Sequence, residues 1–244
     1  MGAERRLNTK EAARFLRVSE ASIRRWSDSG LLPGIRVGRR RERRFNESDL
    51  VGFVEHAPAR NPTAATVNVG GTALSVPTHL ATLFSSDAGG MRLTVPFFSD
   101  GIRLGQPCFL VAHGELAQRY IDALGHVEGV DLAAAIESGV FAVVAFTGGY
   151  AEDAITQWER ILAAAVADRP TVIRIVGEMA SERTMFASED EMLRYEEAFE
   201  VMSKRYPVVV LCQYEARRFD GPALLRALKA HPDLYGLRIG TFLN

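Results

Sequence analysis

Cysteine is scarce in this chain: Cys108 and Cys212 are the two in 244 residues. They lie far apart and at no metal-ligand spacing, which excludes a disulfide-stapled mini-protein. No apolar run approaches the roughly 20 residues that span a bilayer. The opening segment, Met1 to Arg6, is charged and has no apolar signal region behind it. The expectation is a protein of the reducing cytoplasm with no membrane association. Hydrophobic residues make up 47% and charged residues 24%, which excludes a wholly disordered or collagen-like chain.

Several nucleotide and catalytic signatures are missing. A phosphate-binding loop of the G-x-x-x-x-G-K-[ST] kind would follow the first strand of the larger part of the chain. The matching stretch runs Ser85-Ser86-Asp87-Ala88-Gly89-Gly90-Met91-Arg92 and has no Lys-Ser/Thr pair to reach the β- and γ-phosphates. There is no G-x-G-x-x-G and no G-x-S-x-G elbow. The five histidines, His56, His79, His113, His126 and His231, have no partner at metal-ligand spacing. Spacing does not test for a site assembled across distant segments. The expectation is a chain that is not an enzyme and has no cofactor and no metal.

The net charge of −1 conceals an asymmetry. Residues 1–60 hold 14 Lys and Arg against 8 Asp and Glu, an excess of six positive charges, and the remainder carries an excess of seven negative ones. A small basic head on a larger acidic body suggests two jobs, and a basic head of this size suits a polyanion such as DNA.

The segment 57–76 contains Pro58, Pro62, Gly70 and Gly71 and reads as a linker between a head at 5–56 and a body at 77–244. In the head, Asn8 or Thr9 caps a helix over 10–16, and Arg17-Val18 makes a tight turn. Ser19 caps a second helix over 20–28 whose Ile23 and Trp26 share an inner face. A hairpin with the basic tip Arg39-Arg40-Arg41 follows, and Asn46 caps a third helix over 47–56. Two short helices, a tight turn and a hairpin make a winged helix-turn-helix. Its second helix can enter the major groove of double-stranded operator DNA with Ser22, Arg24 and Arg25, while the wing arginines 39 to 41 suit a narrow minor groove. The stretches Leu7-Asn8-Thr9-Lys10-Glu11-Ala12-Ala13 and Val18-Ser19-Glu20-Ala21-Ser22-Ile23-Arg24-Arg25-Trp26, followed by Gly30-Leu31-Leu32-Pro33, resemble the head of MerR-type and excisionase-type regulators. In those regulators a long helix after the head makes the dimer, and the Pro-rich segment here departs from that pattern.

In the body, apolar runs at 79–84, 108–112, 140–146, 172–176, 208–213 and 237–242 alternate with helical stretches. The runs are apolar on both faces, as in strands covered by helices on either side, so the body reads as a mostly parallel, three-layer α/β domain. In such sheets ligands bind beyond the carboxyl ends of the strands. That places Glu178, Met179 and Tyr214 as candidate ligand residues. Cys212 reads as a small buried apolar residue or a thiol sensor, Tyr195 as a packing or ligand residue, and His79, at a strand start, as the less ligand-like choice.

The series Val95-Pro96-Phe97-Phe98, Val130-Asp131, Glu137-Ser138-Gly139, Arg174-Ile175-Val176-Gly177-Glu178-Met179, Tyr195-Glu196, Leu211-Cys212-Gln213-Tyr214 and His231-Pro232 resembles the MEDS (DcmR-like) sensory domain, over about 77 to 235. The resemblance implies a RecA/KaiC-like fold without a working ATPase motif and a small-molecule sensor. The motif positions are Glu178, Tyr195, Glu196, Cys212, Gln213, Tyr214 and His231. Together these readings describe a transcriptional regulator with a DNA-binding head, an effector-sensing body and assembly as a homodimer. The rival readings are a RecA-like nucleotide-binding protein and a partner-docking module tethered to DNA.

Overall fold

The computed structural model describes residues 6–16, 20–28, 32–38, 41–55, 65–167, 171–237 and 239–243. The chain divides into two units, Met1–Pro62 and Thr63–Asn244.

The first unit contains β1 (Arg6–Asn8), α1 (Thr9–Leu16), α2 (Glu20–Asp28), β2 (Ile35–Val37), β3 (Glu42–Asn46) and α3 (Glu47–Glu55). Asn8 starts α1 through a reciprocal cap: its Oδ1 accepts from the Glu11 amide at 2.9 Å, and Glu11 Oε2 accepts from the Asn8 amide at 2.8 Å. The helices close over Leu7, Ala12, Ala13, Ile23, Leu32, Phe45 and Leu50, all buried, and Trp26 stacks on Phe53 at 5.0 Å. The hairpin β2–β3 is the expected wing. β1 adds a third antiparallel strand against β3, in the order β1-β3-β2. This strand was not expected, because three residues are too few to display a period. Asp28, at the end of α2, receives Arg36 at 3.0 Å and Arg43 at 2.5 Å from the two wing strands. These contacts hold the Asp28 carboxyl below the usual carboxylate range. The expected turn at 17–19 and the end of the second helix at 29–31 lie outside the described residues.

The second unit opens with the hairpin β4 (Thr66–Val69) and β5 (Thr72–Ser75). It continues through β6 (Thr78–Phe84), α4 (Asp87–Arg103), β7 (Cys108–Val111), α5 (Gly114–Gly125), α6 (Leu132–Glu137), β8 (Phe141–Val144) and α7 (Ala151–Ala167). Then come β9 (Ile173–Glu178), the short α8 (Met179–Glu182), α9 (Glu189–Ser203), β10 (Val208–Glu215) and α10 (Gly221–Ala230). Five of these strands form one parallel sheet in the order β6-β10-β9-β7-β8. On one face Arg174 of β9 donates to the Phe97 carbonyl of α4, and Gln213 of β10 meets Tyr120 of α5. On the other, Trp158 of α7 packs its ring against Phe109 of β7 and Phe199 of α9. The expected three-layer, mostly parallel α/β body is present.

Two expectations are corrected. Residues 66–75 do not belong to a linker over 57–76. Gly70 and Gly71 both have positive φ, 57° and 83°, and make a two-residue hairpin turn, while Val67, Val69 and Leu74 alternate into the body's core. The final run at 237–242 is not a sixth strand. Ile239–Phe242 is a 3-10 turn that buries Phe242, and Leu243 alone bridges to Leu83. One apolar stretch interrupted by Gly240 is too short to add a full ladder. Among the described residues no helix is long and apolar enough to cross a membrane.

If the hairpin is part of the core, Leu74→Ala should lower the unfolding free energy by about 2–4 kcal/mol, the range for emptying a buried leucine site. Urea titration checks this. A change within about 0.5 kcal/mol, as for a surface position, would return these residues to the linker.

Candidate functional site

Side chains alternate along a strand, so each strand of the sheet feeds two chambers. On β10, Cys212 and Tyr214 point to the α7/α9/α10 face, whereas Gln213 points to the α4/α5 face. The register pairs Cys212 with Gly177 and Ala81, and Val210 with His79, which puts His79 on the same face as Cys212. A Cβ on Gly177 would stand 2.7 Å from Glu182 Oε2, 3.3 Å from Met179 Sδ and 3.7 Å from Cys212 Sγ. The glycine therefore leaves room for the Glu182 carboxyl. α9 adds Tyr195, Glu196 and Glu200, and His231 follows the last residue of α10.

The result is a buried polar cluster. His79, Glu182, Glu196 and His231 are each at most 1% exposed. His79 Nδ1 lies 2.8 Å from Glu200 Oε2, and its Nε2 lies 3.1 Å from Cys212 Sγ. A carboxylate only accepts, so Nδ1 carries the proton and Nε2 accepts from the thiol. His231 Nδ1 donates to the Ala227 carbonyl at 2.7 Å. That leaves its Nε2 facing Glu196 Oε2 at 3.0 Å, a close ionic contact without hydrogen-bond alignment. Tyr214 donates to Glu196 Oε2 at 3.2 Å, and Trp158 Nε1 donates to the Tyr195 hydroxyl at 2.9 Å.

Burial and electrostatics oppose each other here. Burial, with His231 alongside, pushes the His79 imidazole well below its ordinary value, so it is neutral. Burial alone would raise Glu196, but the imidazoles of His231 and His79 outweigh it and hold the carboxyl low. Burial alone would lower His231, and the Glu196 carboxylate raises it instead. Burial, with Glu196 nearby, pushes Glu182 well up, so it is a neutral acid, and its Oε1 has no hydrogen-bond partner. Burial likewise keeps the Cys212 thiol protonated.

The expected ligand residues divide between the two chambers. His79, Met179, Tyr195, Cys212 and Tyr214 share the cluster's face. Glu178 does not: it ends β9 at the same edge as Tyr214 but faces α4 and α5, opposite Gln213. There its Oε2 caps α8 by accepting from the Ser181 amide at 2.7 Å, and burial raises its carboxyl to about 6. The expected ligand residue is thus a buried helix cap on the opposite face from the cluster, near enough to help raise Glu182. His79, the less favoured choice, is central, because the buried end of β6 lies under α9. Glu182, Glu196, Glu200 and His231 were outside the set of expected ligand residues. Glu196 and His231 were among the motif positions of the resemblance but had no ligand role assigned, and the spacing of Glu196 and Glu200, four apart on one helix face, was the further signal. The expectation of no metal grouping rested on local spacing, and here His79, Glu196, Cys212 and His231 converge from four elements with their ligand atoms within 4.8 Å of one another.

Where a phosphate-binding loop would sit, Ser86 caps α4 and Asp87 starts it. The Asp87 carboxylate lies 3.0 Å from Arg119 and 3.2 Å from Arg217, and these cations hold it below its ordinary range. An internal carboxylate thus takes up the cations near that helix end.

In the head, Arg24 is exposed on α2, 2.8 Å from Glu20. Arg41 is exposed in the wing turn with φ of 48°, its amide donating to the Gly38 carbonyl. The side chains of Ser22 and Arg25, and residues Arg39 and Arg40, lie outside the described residues.

The chain matches the MEDS family model, described as the MEthanogen/methylotroph, DcmR Sensory domain, over residues 78–232. A helix-turn-helix domain model matches residues 6–57. The chain is 35% identical over 245 residues to the transcriptional repressor DcmR of Methylorubrum extorquens, with 95% of this chain and 92% of that protein covered. In fold it is similar to a KaiC-like protein of Pyrococcus horikoshii, with a TM-score of 0.50 over 63% of this chain and 71% of that one at 15% identity.

Glu178 gives a pH test. Its folded value of about 6 lies above its ordinary 4.5, so stability is lost as pH rises through that window, by about 2 kcal/mol in all. The stability of Glu178→Gln relative to the native chain should therefore be about 2 kcal/mol more favourable at pH 8 than at pH 4. Urea titrations at the two pH values check it, and a pH-independent difference would contradict the burial argument.

Proposed function

The chain belongs to the MEDS-domain family, here with a helix-turn-helix head, and on that premise we propose that it is a one-component transcriptional repressor whose body senses a small molecule. α2 enters the major groove of operator DNA, with Arg24 contacting a base edge or phosphate, while the wing turn carrying Arg41 contacts the backbone. Two heads act on one palindromic operator as a homodimer, because a single small module covers too short a site for operator affinity. The body binds its effector and shifts the equilibrium between arrangements of the heads. The chain works in the cytoplasm, where the DNA is, and has no enzymatic activity of its own.

One observation carries the sensing half of this reading. The body buries a cluster of ionisable groups on one sheet face and leaves Glu182 Oε1 and His231 Nε2 without hydrogen bonds. Buried polar atoms are nearly always satisfied, so an incompletely paired cluster is costly to the fold and suits a site that receives a ligand. Tyr195, Tyr214, Met179 and Cys212 stand around it.

Selection of the full-length protein against random-sequence DNA should enrich one palindromic site, and failure to enrich any site would sink the operator reading. On the selected site Arg24→Ala should weaken binding by about 1–3 kcal/mol. Arg41→Asn keeps a side chain that tolerates positive φ and removes one charge, so the salt dependence of binding should fall by about one unit of slope. Native mass spectrometry of the purified protein and its DNA complex reports subunit number and any retained small molecule together.

A further inference from the structure

We propose that His79, Glu196, Cys212 and His231 form a binding site for one divalent, zinc-class metal ion in the core of the body. The four residues come from β6, α9, β10 and the end of α10, and no local motif unites them. Their ligand atoms lie within 4.8 Å of one another, so a tetrahedral ion is reached by small side-chain shifts that even out the spacing. His79 Nε2 lies 3.1 Å from Cys212 Sγ and 3.9 Å from Glu196 Oε2, Cys212 Sγ lies 3.8 Å from Glu196 Oε1, and His231 Nε2 lies 3.0 Å from Glu196 Oε2. At zinc's bond lengths, the ligand atoms of a tetrahedral site lie about 3.3–3.6 Å apart.

The second observation is the orientation of the imidazoles. Metal-bound histidines typically give their other ring N–H to a carboxylate or a backbone carbonyl. His79 Nδ1 is anchored on Glu200, which Lys204 holds at 3.2 Å, and His231 Nδ1 is anchored on the Ala227 carbonyl. Both rings thereby present Nε2 to the same centre. His231 Nε2 is fully buried and faces Glu196 Oε2 at 3.0 Å without an aligned hydrogen bond among the described residues, so the ring nitrogen is turned to the centre of the cluster beside a second donor atom. Binding releases one proton from the Cys212 thiol and one from His231, and the resulting two neutral imidazoles, thiolate and carboxylate carry two negative charges. A divalent cation therefore needs no further counter-ion in a chamber that excludes water. The set of nitrogen and sulfur donors with one carboxylate selects a borderline-soft ion such as zinc over magnesium or calcium. Four protein ligands leave no open coordination position, so the ion clamps α9 and α10 to the sheet and is not a reaction centre. Glu200 acts through His79 as a positioning residue.

The assignment rests on coordination geometry. Metal uptake is measured apart from DNA binding, so failure to bind metal overturns this assignment and leaves the operator reading standing, while a bound ion takes His231 Nε2 and leaves Glu182 Oε1 as the atom open to an effector. The full-length protein, stripped with a chelator, is titrated with cobalt(II) and then zinc(II). The expected result is one cobalt per chain, with a thiolate-to-cobalt charge-transfer band and tetrahedral d–d bands, all displaced by one equivalent of zinc. Cys212→Ser should lose the charge-transfer band, whereas Cys108→Ser, altered on the opposite sheet face, should keep it. Glu200→Gln should keep the band but weaken zinc binding by about 10–100-fold in chelator competition. Failure of the native protein to take up cobalt would overturn the proposal without reference to any variant. A band that survives Cys212→Ser would overturn it as well.

Discussion

Glu196 is a carboxylate held out of water between two imidazoles, and much of the body is arranged to make that tolerable. Stripping an ionised carboxylate of solvent costs several kcal/mol unless close partners replace the water. Its partners come from His231 beyond α10, His79 on β6 and the Tyr214 hydroxyl on β10. Each of these is fixed in turn. His79 leans on Glu200, Glu200 on Lys204, and Lys204 on Asp233, which also receives the His79 amide at 2.9 Å. Removing one member exposes the next as an unpaired buried group, so the cluster behaves as a unit.

The two faces of the sheet handle buried polarity differently. Toward α4 and α5, Gln213 bridges the Tyr120 hydroxyl and the Gly90 carbonyl, Glu215 meets Arg217 and Arg218, and Glu178 caps the helix that follows it. Those groups complete one another, whereas Thr82 Oγ1 beside Gln213 is left without a hydrogen bond among the described residues. Toward α7, α9 and α10, valence is left over at Glu182 and His231. What sets this chamber apart is that its unpaired atoms sit among ionisable groups, and function is read from such a site and not from the architecture, since the same fold serves many chemistries.

Five strands and most helices of the body were readable because their apolar runs are long enough to be covered on both sides and Ser86, Asp131, Ser188 and Asp220 cap the helices that follow them. The hairpin at 66–75 was not: Gly70 and Gly71 look like linker punctuation until Val67, Val69 and Leu74 are seen to share a buried face. The cluster was legible only in fragments. Cys212 and Tyr214 alternate on one strand, Tyr195 and Glu196 are adjacent on one helix, and His231 precedes Pro232. Their convergence with His79 depends on strand order, with the first strand of the sheet lying beside the last, and spacing along the chain does not encode that. Glu178 misled for a similar reason. Proximity to the strand end was right, but the alternation of side chains sends it to the other face.

The order of strands also sets how many neighbours the sheet can acquire. β6 and β8 are its two margins. Along β6 the outward-facing backbone is engaged, with the His79 amide bonded to Asp233 and Leu83 bridged in parallel by Leu243. The β8 margin, with Val143 exposed, is the other one. Endless side-by-side growth of a sheet requires two free margins on every molecule. With β6 engaged at His79 and Leu83 by its own later segment, β8 is the margin of this sheet better placed to pair with a second copy, and pairing through β8 alone closes as a dimer.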